Sequence, residues 1–319
     1  MKVAVLYGGA SAERDVSLVT GRAVADALGE RKHDVRLVET QVDGYWCEAV
    51  ADADVVFIAL HGGAGENGIV QGVLELQGKA YTGSGVLASA LAMDKRISKL
   101  AFREAGVPTP EWRVVEMGQG PETRERGGSP SFPDDLSPEE ARGAVDELGG
   151  YPVIVKPNDQ GSTVGLTLVR DEGGLATAID LAGRYSSHVM LETYVPGREL
   201  TVAVLDGEAL PLVEVEPKSG LYDYESKYTK GMTVYTCPAE MEESAAAEMS
   251  EAGLRAFECL GCSGYGRADF RLDPEGGFYC LEVNTVPGMT EVSLVPMAAK
   301  AAGIDFPELC ERILQTAKP

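Results

Sequence analysis

The chain has 319 residues, 44% of them hydrophobic and 24% charged, with a formal net charge of −22 and a pI near 4.5. That length exceeds one typical core and calls for two or three packed subdomains. So acidic a surface reads first as a source of solubility, and it repels phosphate backbones, which excludes general nucleic-acid binding. It does not exclude a nucleotide, because a few lysines and a metal ion can reverse the field locally. No apolar run is long enough to span a membrane, and the first apolar stretch, residues 3–7, is too short for a signal-peptide core, so a cytoplasmic address is expected.

In chain order, residues 2–7 read as a buried parallel strand, followed by a glycine turn and a helix with Val16, Ala23, Val24, Ala27 and Leu28 on one face. Short apolar runs at 35–38 and 55–60 complete a small α/β unit with a parallel sheet. Residues 93–105 form a basic amphipathic helix ended by Gly106 and the prolines at 108 and 110. Segment 118–138 is rich in Gly, Pro, Ser and charge and reads as a surface loop or linker. A hairpin is expected from 153–156 and 166–169, then strands at 189–192 and 200–205, a polar mobile loop at 218–233 and a helix over 240–260. Residues 267–272 and 278–283 pair as strands across the turn at 273–277. The six cysteines are scattered, which suits reduced thiols, and the single C-x-x-C of Cys259 and Cys262 lacks the second pair that zinc would require.

Three constellations carry chemistry. On the last pair of strands, alternation places Arg267 and Asp269 on the same face of one strand and likewise Glu282 and Asn284 on the same face of the other, so three oxygen donors converge beside an arginine if the strands are neighbours. Hard oxygen donors suit Mg²⁺, which keeps waters and substrate phosphates as its other ligands. Alternation alone favours solvated positions of a hairpin. The balance changes with the next segment, a turn through Gly288 into a helix start, where backbone N–H groups can bind an anion. The second constellation is a strand ending in Lys156 followed by the glycine loop 157–165. It is not a Walker A motif, because the lysine precedes the glycines, and a bare hairpin loop is the alternative. The third is Gly8-Gly9 with Glu13. A dinucleotide cofactor fails there, since Ala10 and Glu13 occupy the required glycine positions and a glutamate would repel a pyrophosphate. Glu13 facing a cationic group such as an ammonium makes better electrostatic sense.

With these residues in place, the chain resembles the bacterial D-alanine–D-alanine ligases of the ATP-grasp superfamily. The resemblance rests on seven ordered motifs: Y-G-G-x-S-x-E-R-x-V-S-L, H-G-x-x-G-E-x-G from His61, M-D-K at Met93, V-K-P-x-x-x-G-S-x-V-G, Y-D-Y-E-S-K-Y ending at Tyr228, G-R-x-D, and E-V-N-T-x-P-G-M-T. It implies an α/β and α+β, ATP-grasp fold with an N-terminal parallel-sheet domain, divided at 1–93, 94–188 and 189–319. It further implies ATP-dependent joining of two D-alanines through an acyl phosphate, for peptidoglycan precursors and so for cell wall and cell shape.

The resemblance also implies roles. Lys95 and Lys156 match lysines on ATP phosphates, Glu192 a hinge carboxylate near adenine, and Glu199 a carboxylate on the ribose. Asp269, Glu282 and Asn284 match the ligands of two Mg²⁺ ions, for which Mn²⁺ can substitute. Arg267 and the Gly288 backbone surround the transferred phosphate. Glu13 matches the residue on the first D-alanine's ammonium, with Ser162 and Tyr228 completing that network. Ser293 and Leu294 match the carboxylate pocket of the second D-alanine, with His61 on the same face. The expected partners are D-alanine, ATP and a second copy of the chain as a homodimer, with no nucleic acid and no membrane. Segment 218–233 is expected to close as a lid. Two positions depart from the family pattern, Thr193 where lysine is common and Asn67 where aspartate is usual. Two rivals remain: a ligase with a D-hydroxy acid as second substrate, against which Tyr228 argues, and a decayed nucleotide-binding regulator, against which the intact Arg267, Asp269, Glu282 and Asn284 set argues.

Overall fold

The computed structural model describes residues 1–40, 46–117, 136–218, 231–290 and 292–318. The first sheet holds β1 (Lys2–Gly8), β2 (Asp34–Thr40), β3 (Val55–Ile58) and β4 (Ala80–Tyr81), all parallel, in the order β2-β1-β3-β4. Its helices are α1 (Arg14–Glu30), α2 (Trp46–Ala49) and α3 (Ile69–Leu76). β3 is buried at every position, as expected of a parallel strand covered on both faces. The buried face of α1 is Ser17, Thr20, Gly21, Val24, Ala27 and Leu28, so Val16 and Ala23 of the expected stripe sit at its margins. The reason is close approach to β1: a Cβ at Gly21 would lie 2.4 Å from Tyr7 Cβ.

The chain then forms α4 (Val86–Met93) and α5 (Lys95–Glu104). The helix expected over 93–105 is present as α5, starting two residues later because Met93 ends α4. Asp94 is extended and caps α5, accepting from the Ile97 N–H at 3.0 Å. The second sheet, antiparallel, has the order β5-β8-β6-β7, from β5 (Trp112–Glu116), β6 (Val153–Pro157), β7 (Thr167–Val169) and β8 (His188–Thr193). It is covered by α6 (Pro138–Glu147) and α7 (Leu175–Gly183). Ser137 and Glu140 close a capping box over α6, with Pro138 in its first turn.

The third sheet is antiparallel too, in the order β12-β11-β9-β13-β14 with β10 paired to β9. Its strands are β9 (Arg198–Leu205), β10 (Glu208–Ala209), β11 (Val213–Pro217), β12 (Thr233–Thr236), β13 (Tyr265–Leu272) and β14 (Phe278–Asn284). The remaining helices are α8 (Glu243–Cys259), α9 (Leu294–Ala301) and α10 (Phe306–Gln315). Side chains alternate along β9. Leu200, Val202 and Val204 enter a core with α5 and α8, while Ala203 and Leu205 enter one shared with β1, β3, α9 and α10. The third sheet is thus packed between α8 and the first sheet.

Sheet membership corrects the expected divisions at two points. β8 pairs with β5 and β6, so a division after residue 188 would cut this strand from its sheet, which continues through Thr193. Phe102 of α5 lies in the core of the third sheet, not the second. Among the described residues, no helix is long and apolar enough to cross a membrane. The expected surface segment at 118–138 and loop at 218–233 lie mostly outside the described residues.

Candidate active site

Two clefts meet along β13, β14 and the glycine loop after β6. The first, about 1020 Å³, opens between the second and third sheets, and the second, about 950 Å³, lies between the third sheet and the first. Lys95, Gly161, Arg267, Glu282 and Leu294 line both.

Local structure puts the shared residues there. Asp94 and Asn158 clamp the start of α5. The Asn158 side chain donates to Asp94 Oδ1 at 2.9 Å and accepts from the Arg96 N–H at 2.9 Å, while its carbonyl accepts from the Lys95 N–H at 3.1 Å. That clamp aims Lys95 at the glycine loop, where Nζ donates to the Gln160 carbonyl at 2.7 Å and lies 3.1 Å from Glu282 Oε2. In the same loop Ser162 and Thr163 hold φ of 51° and 61°, a sparsely populated region for side-chain-bearing residues that recurs at functional sites.

The hairpin expected from alternation is present. Asp269 stands opposite Glu282, and Arg267 opposite Asn284, on β13 and β14. Arg267 grips Asp269 through two hydrogen bonds of 2.7 Å. Asn284 Oδ1 accepts from the Val286 N–H at 3.0 Å and so starts the turn toward Gly288.

The first cleft is lined by Lys95, Lys156, Glu192, Glu199 and Asp269. Lys156 Nζ donates to Glu192 Oε1 at 2.8 Å, and Lys99 Nζ lies 2.6 Å from Glu192 Oε2. Burial pushes the Glu192 carboxyl up, but Lys156 and Lys99 more than offset it and hold it below the usual carboxylate range. Burial draws the Lys99 ammonium down to about 8, although Glu192 opposes the shift. Arg271 braces the rim, donating to the carbonyls of Val195 at 3.1 Å and Gly197 at 2.9 Å beside Glu199. Thr193 also lines this cleft, and its hydroxyl donates to the Leu148 carbonyl at 3.4 Å.

The second cleft is lined by Glu13, His61, Ser162, Asn284, Gly288, Ser293 and Leu294. The Ser162 hydroxyl donates to Glu13, tying the first sheet to the glycine loop. Ser293 Oγ accepts from the Thr290 N–H at 2.9 Å at the start of α9. His61 is buried, and both ring nitrogens are engaged. Nδ1 donates to the Val286 carbonyl at 2.9 Å and Nε2 accepts from the Thr20 hydroxyl at 2.9 Å. Burial lowers its basicity, so the ring is a neutral strut between the first sheet and the 284–290 turn. Glu66 completes the wall, with its carboxyl raised to about 8 by burial and then by the nearby charge of Glu13.

Every site residue anticipated from the sequence lines one cleft or both, except Tyr228, which lies outside the described residues. Sequence reasoning missed Lys99, Glu66 and Arg271. The spacing held a signal for two of them: Lys99 is one helical turn from Lys95, and Arg271 extends the alternation of Arg267 and Asp269.

Two antiparallel sheets clasping a lysine-lined cleft, with a parallel-sheet domain closing the far side, define an ATP-grasp fold. The family described as "D-ala D-ala ligase C-terminus" matches residues 102–315, and "D-ala D-ala ligase N-terminus" matches residues 2–53 and 47–84. The D-alanine–D-alanine ligase of Synechococcus sp. (strain JA-2-3B'a(2-13)) is 46% identical over 99% of this chain and 93% of its own length. Among solved structures, the Bacillus anthracis D-alanine–D-alanine ligase complexed with ATP superimposes with a TM-score of 0.83 at 32% identity, covering 99% of this chain and 97% of that one. The VanG D-Ala:D-Ser ligase of Enterococcus faecalis gives a TM-score of 0.81 at 28% identity, covering 99% and 98%. The chain belongs to the D-alanine–D-alanine ligase family.

Proposed function

We propose that the chain joins two D-alanines to D-alanyl-D-alanine at the expense of ATP, in peptidoglycan precursor synthesis in the cytoplasm. The observation that carries this reading is the junction of the clefts. A triphosphate in the first and an amino-acid carboxylate in the second would meet at Lys95, Arg267 and Glu282.

In this reading Lys156 and Lys95 hold the ATP phosphates, with Glu192 and Glu199 toward the adenine and ribose. Glu13, oriented by Ser162, takes the ammonium of the first D-alanine, and Tyr228 completes that network. The carboxylate of this D-alanine attacks the γ-phosphorus of ATP, giving an acyl phosphate and ADP. The amine of the second D-alanine, its carboxylate held at Ser293 and Leu294 beside His61, then attacks the acyl carbon and expels phosphate. Arg267 and the Gly288 N–H stabilise the oxyanion.

Two carboxylates in register on adjacent strands with one amide oxygen form a sparse donor set, and among the described residues no cluster of three or more His, Cys, Asp or Glu side chains could form a closed cage. Such a set fits Mg²⁺, whose remaining ligands are phosphate oxygens and water. Two Mg²⁺ ions, or Mn²⁺ in their place, would be held by Asp269, Glu282 and Asn284 and would neutralise charge on the transferring phosphoryl group.

A homodimer accompanies this reading. It is supported by the exposed Ile69, Leu76 and Leu87 on α3 and α4, which are 59%, 91% and 70% accessible, and light scattering tests it. The free thiols of all six cysteines fit the cytoplasmic address. The decisive experiment is phosphate release from ATP with D-alanine, L-alanine, D-serine and D-lactate offered in turn. D-alanine alone is expected to support turnover, and equal rates with L-alanine would sink the proposal.

A further inference from the structure

We propose that Lys99 is a positioning residue for nucleotide binding: it is the standing counter-ion of Glu192, and so it leaves Lys156 free to turn to the phosphates of ATP. The inference rests on reading the first cleft as the nucleotide site. Lys99 has no accessible surface, so it does not touch the cleft itself. Its Nζ is fixed by the fold, donating to Thr109 Oγ1 at 2.7 Å and to the Pro110 carbonyl at 3.2 Å, with the ring of Trp112 at 5.3 Å. Thr109 is locked in turn by donating to the Cys280 carbonyl at 2.7 Å.

The charges explain why two lysines share one carboxylate. Glu192 is buried, and Lys156 alone would neutralise it. A balanced, desolvated pair gives Lys156 little reason to leave, since leaving would strand a buried carboxylate. Glu192 Oε1 takes Lys156, and Glu192 Oε2 is met by the Lys99 ammonium at 2.6 Å. With Lys99 present the trio carries one net positive charge, which an entering polyphosphate offsets by drawing Lys156 away while Glu192 stays paired.

The test is a double-mutant cycle on the full-length protein, titrated with ATP and Mg²⁺ at pH 7. Lys99→Met should raise the ATP dissociation constant about tenfold in the native background but less than about threefold in a Glu192→Gln background. The KM for ATP should rise in parallel, with kcat at saturation and the KM for D-alanine little changed. Equal losses in both backgrounds, or no loss in the native one, would overturn the proposal. A wild-type protein that does not bind ATP would instead overturn the nucleotide reading beneath it.

Should Lys99→Met not fold, the wild type supplies the same test through pH. The groups facing Lys99 are Glu192, Lys156, the Cys280 thiol and, across the Trp112 ring, Arg103. Burial pushes the Cys280 thiol well up, so it stays neutral. Burial draws the Lys99 ammonium down to about 8, so its loss of charge should weaken ATP binding with a midpoint near that pH. Glu192→Gln should abolish that weakening, and parallel pH profiles for the two proteins would refute the role.

Discussion

The two clefts share a wall but differ in charge. Around the first, Lys95, Lys156, Arg267 and Arg271 with Lys99 behind them stand against Glu192, Glu199, Asp269 and Glu282, an excess of one positive charge that suits a polyanion. Around the second, Glu13 and Glu282 face Arg267 and Lys95 while Glu66 keeps its proton at neutral pH, a balance that suits a zwitterion with its ammonium toward Glu13. A protein with a net charge of −22 therefore concentrates buried cations where the phosphates are proposed to lie. Net charge governs the distant approach of a ligand, and a few desolvated groups govern its seat.

The sharpest way to break this contrast is at the shared wall. Glu282→Gln keeps the shape but removes a charge from both clefts, and turnover should fall a hundredfold or more, about 3 kcal/mol. Residual activity should need more Mg²⁺ while thermal unfolding stays close to wild type. Near-normal turnover at ordinary Mg²⁺ would return the hairpin carboxylates to solvated surface. Next in size, Glu13→Gln should raise the KM for D-alanine roughly ten- to thirtyfold, about 1.4–2 kcal/mol, while the KM for ATP moves less than about threefold. Equal rises in both constants would mean that the clefts do not divide the substrates as argued.

A smaller effect lies in the pH dependence of stability. The folded protein holds the Glu66 proton up to about 8, whereas the unfolded chain releases it near 4.5. The folded state therefore binds more protons across that window, so this group's contribution to stability falls as pH rises from about 4.5 to about 8 and levels off above it. Glu66→Gln cannot ionise. Its melting temperature relative to wild type should climb by several degrees between pH 5 and pH 8. A constant difference would place the raised carboxyl elsewhere. The smallest effect concerns a departure from the family pattern. Asn67 Oδ1 accepts from the Ile69 N–H at 3.1 Å at the start of α3, and aspartate keeps that acceptor. Asn67→Asp should shift stability by less than about 0.5 kcal/mol in denaturant titrations, because the two residues are near-equivalent there.

Much of the site was legible because its geometry is local. Alternation on one strand placed Arg267 beside Asp269, and the bidentate contact confirms it. The M-D-K motif marked Lys95, although its aspartate proves to be a helix cap whose partner, Asn158, is 64 residues away. Lys99 escaped notice because a lysine on an amphipathic helix reads as solvated. Glu66 escaped because nothing in its neighbours announces burial. The division after residue 188 went astray because β8 is an apolar run that would suit either sheet, and only pairing decides which one it joins.

Periodicity, glycine placement and motif order, all properties of short stretches of chain, were enough to specify the parallel unit, the two hairpins and most cleft-lining residues. The tertiary structure alone decided which carboxylates are desolvated, which lysine serves another side chain instead of a ligand, and that His61 spends both nitrogens on Thr20 and Val286. Desolvation and charge pairing depend on every element packed around a group. The contacts that set them here join residues 36, 149 and 225 positions apart, a separation at which local pattern carries no information.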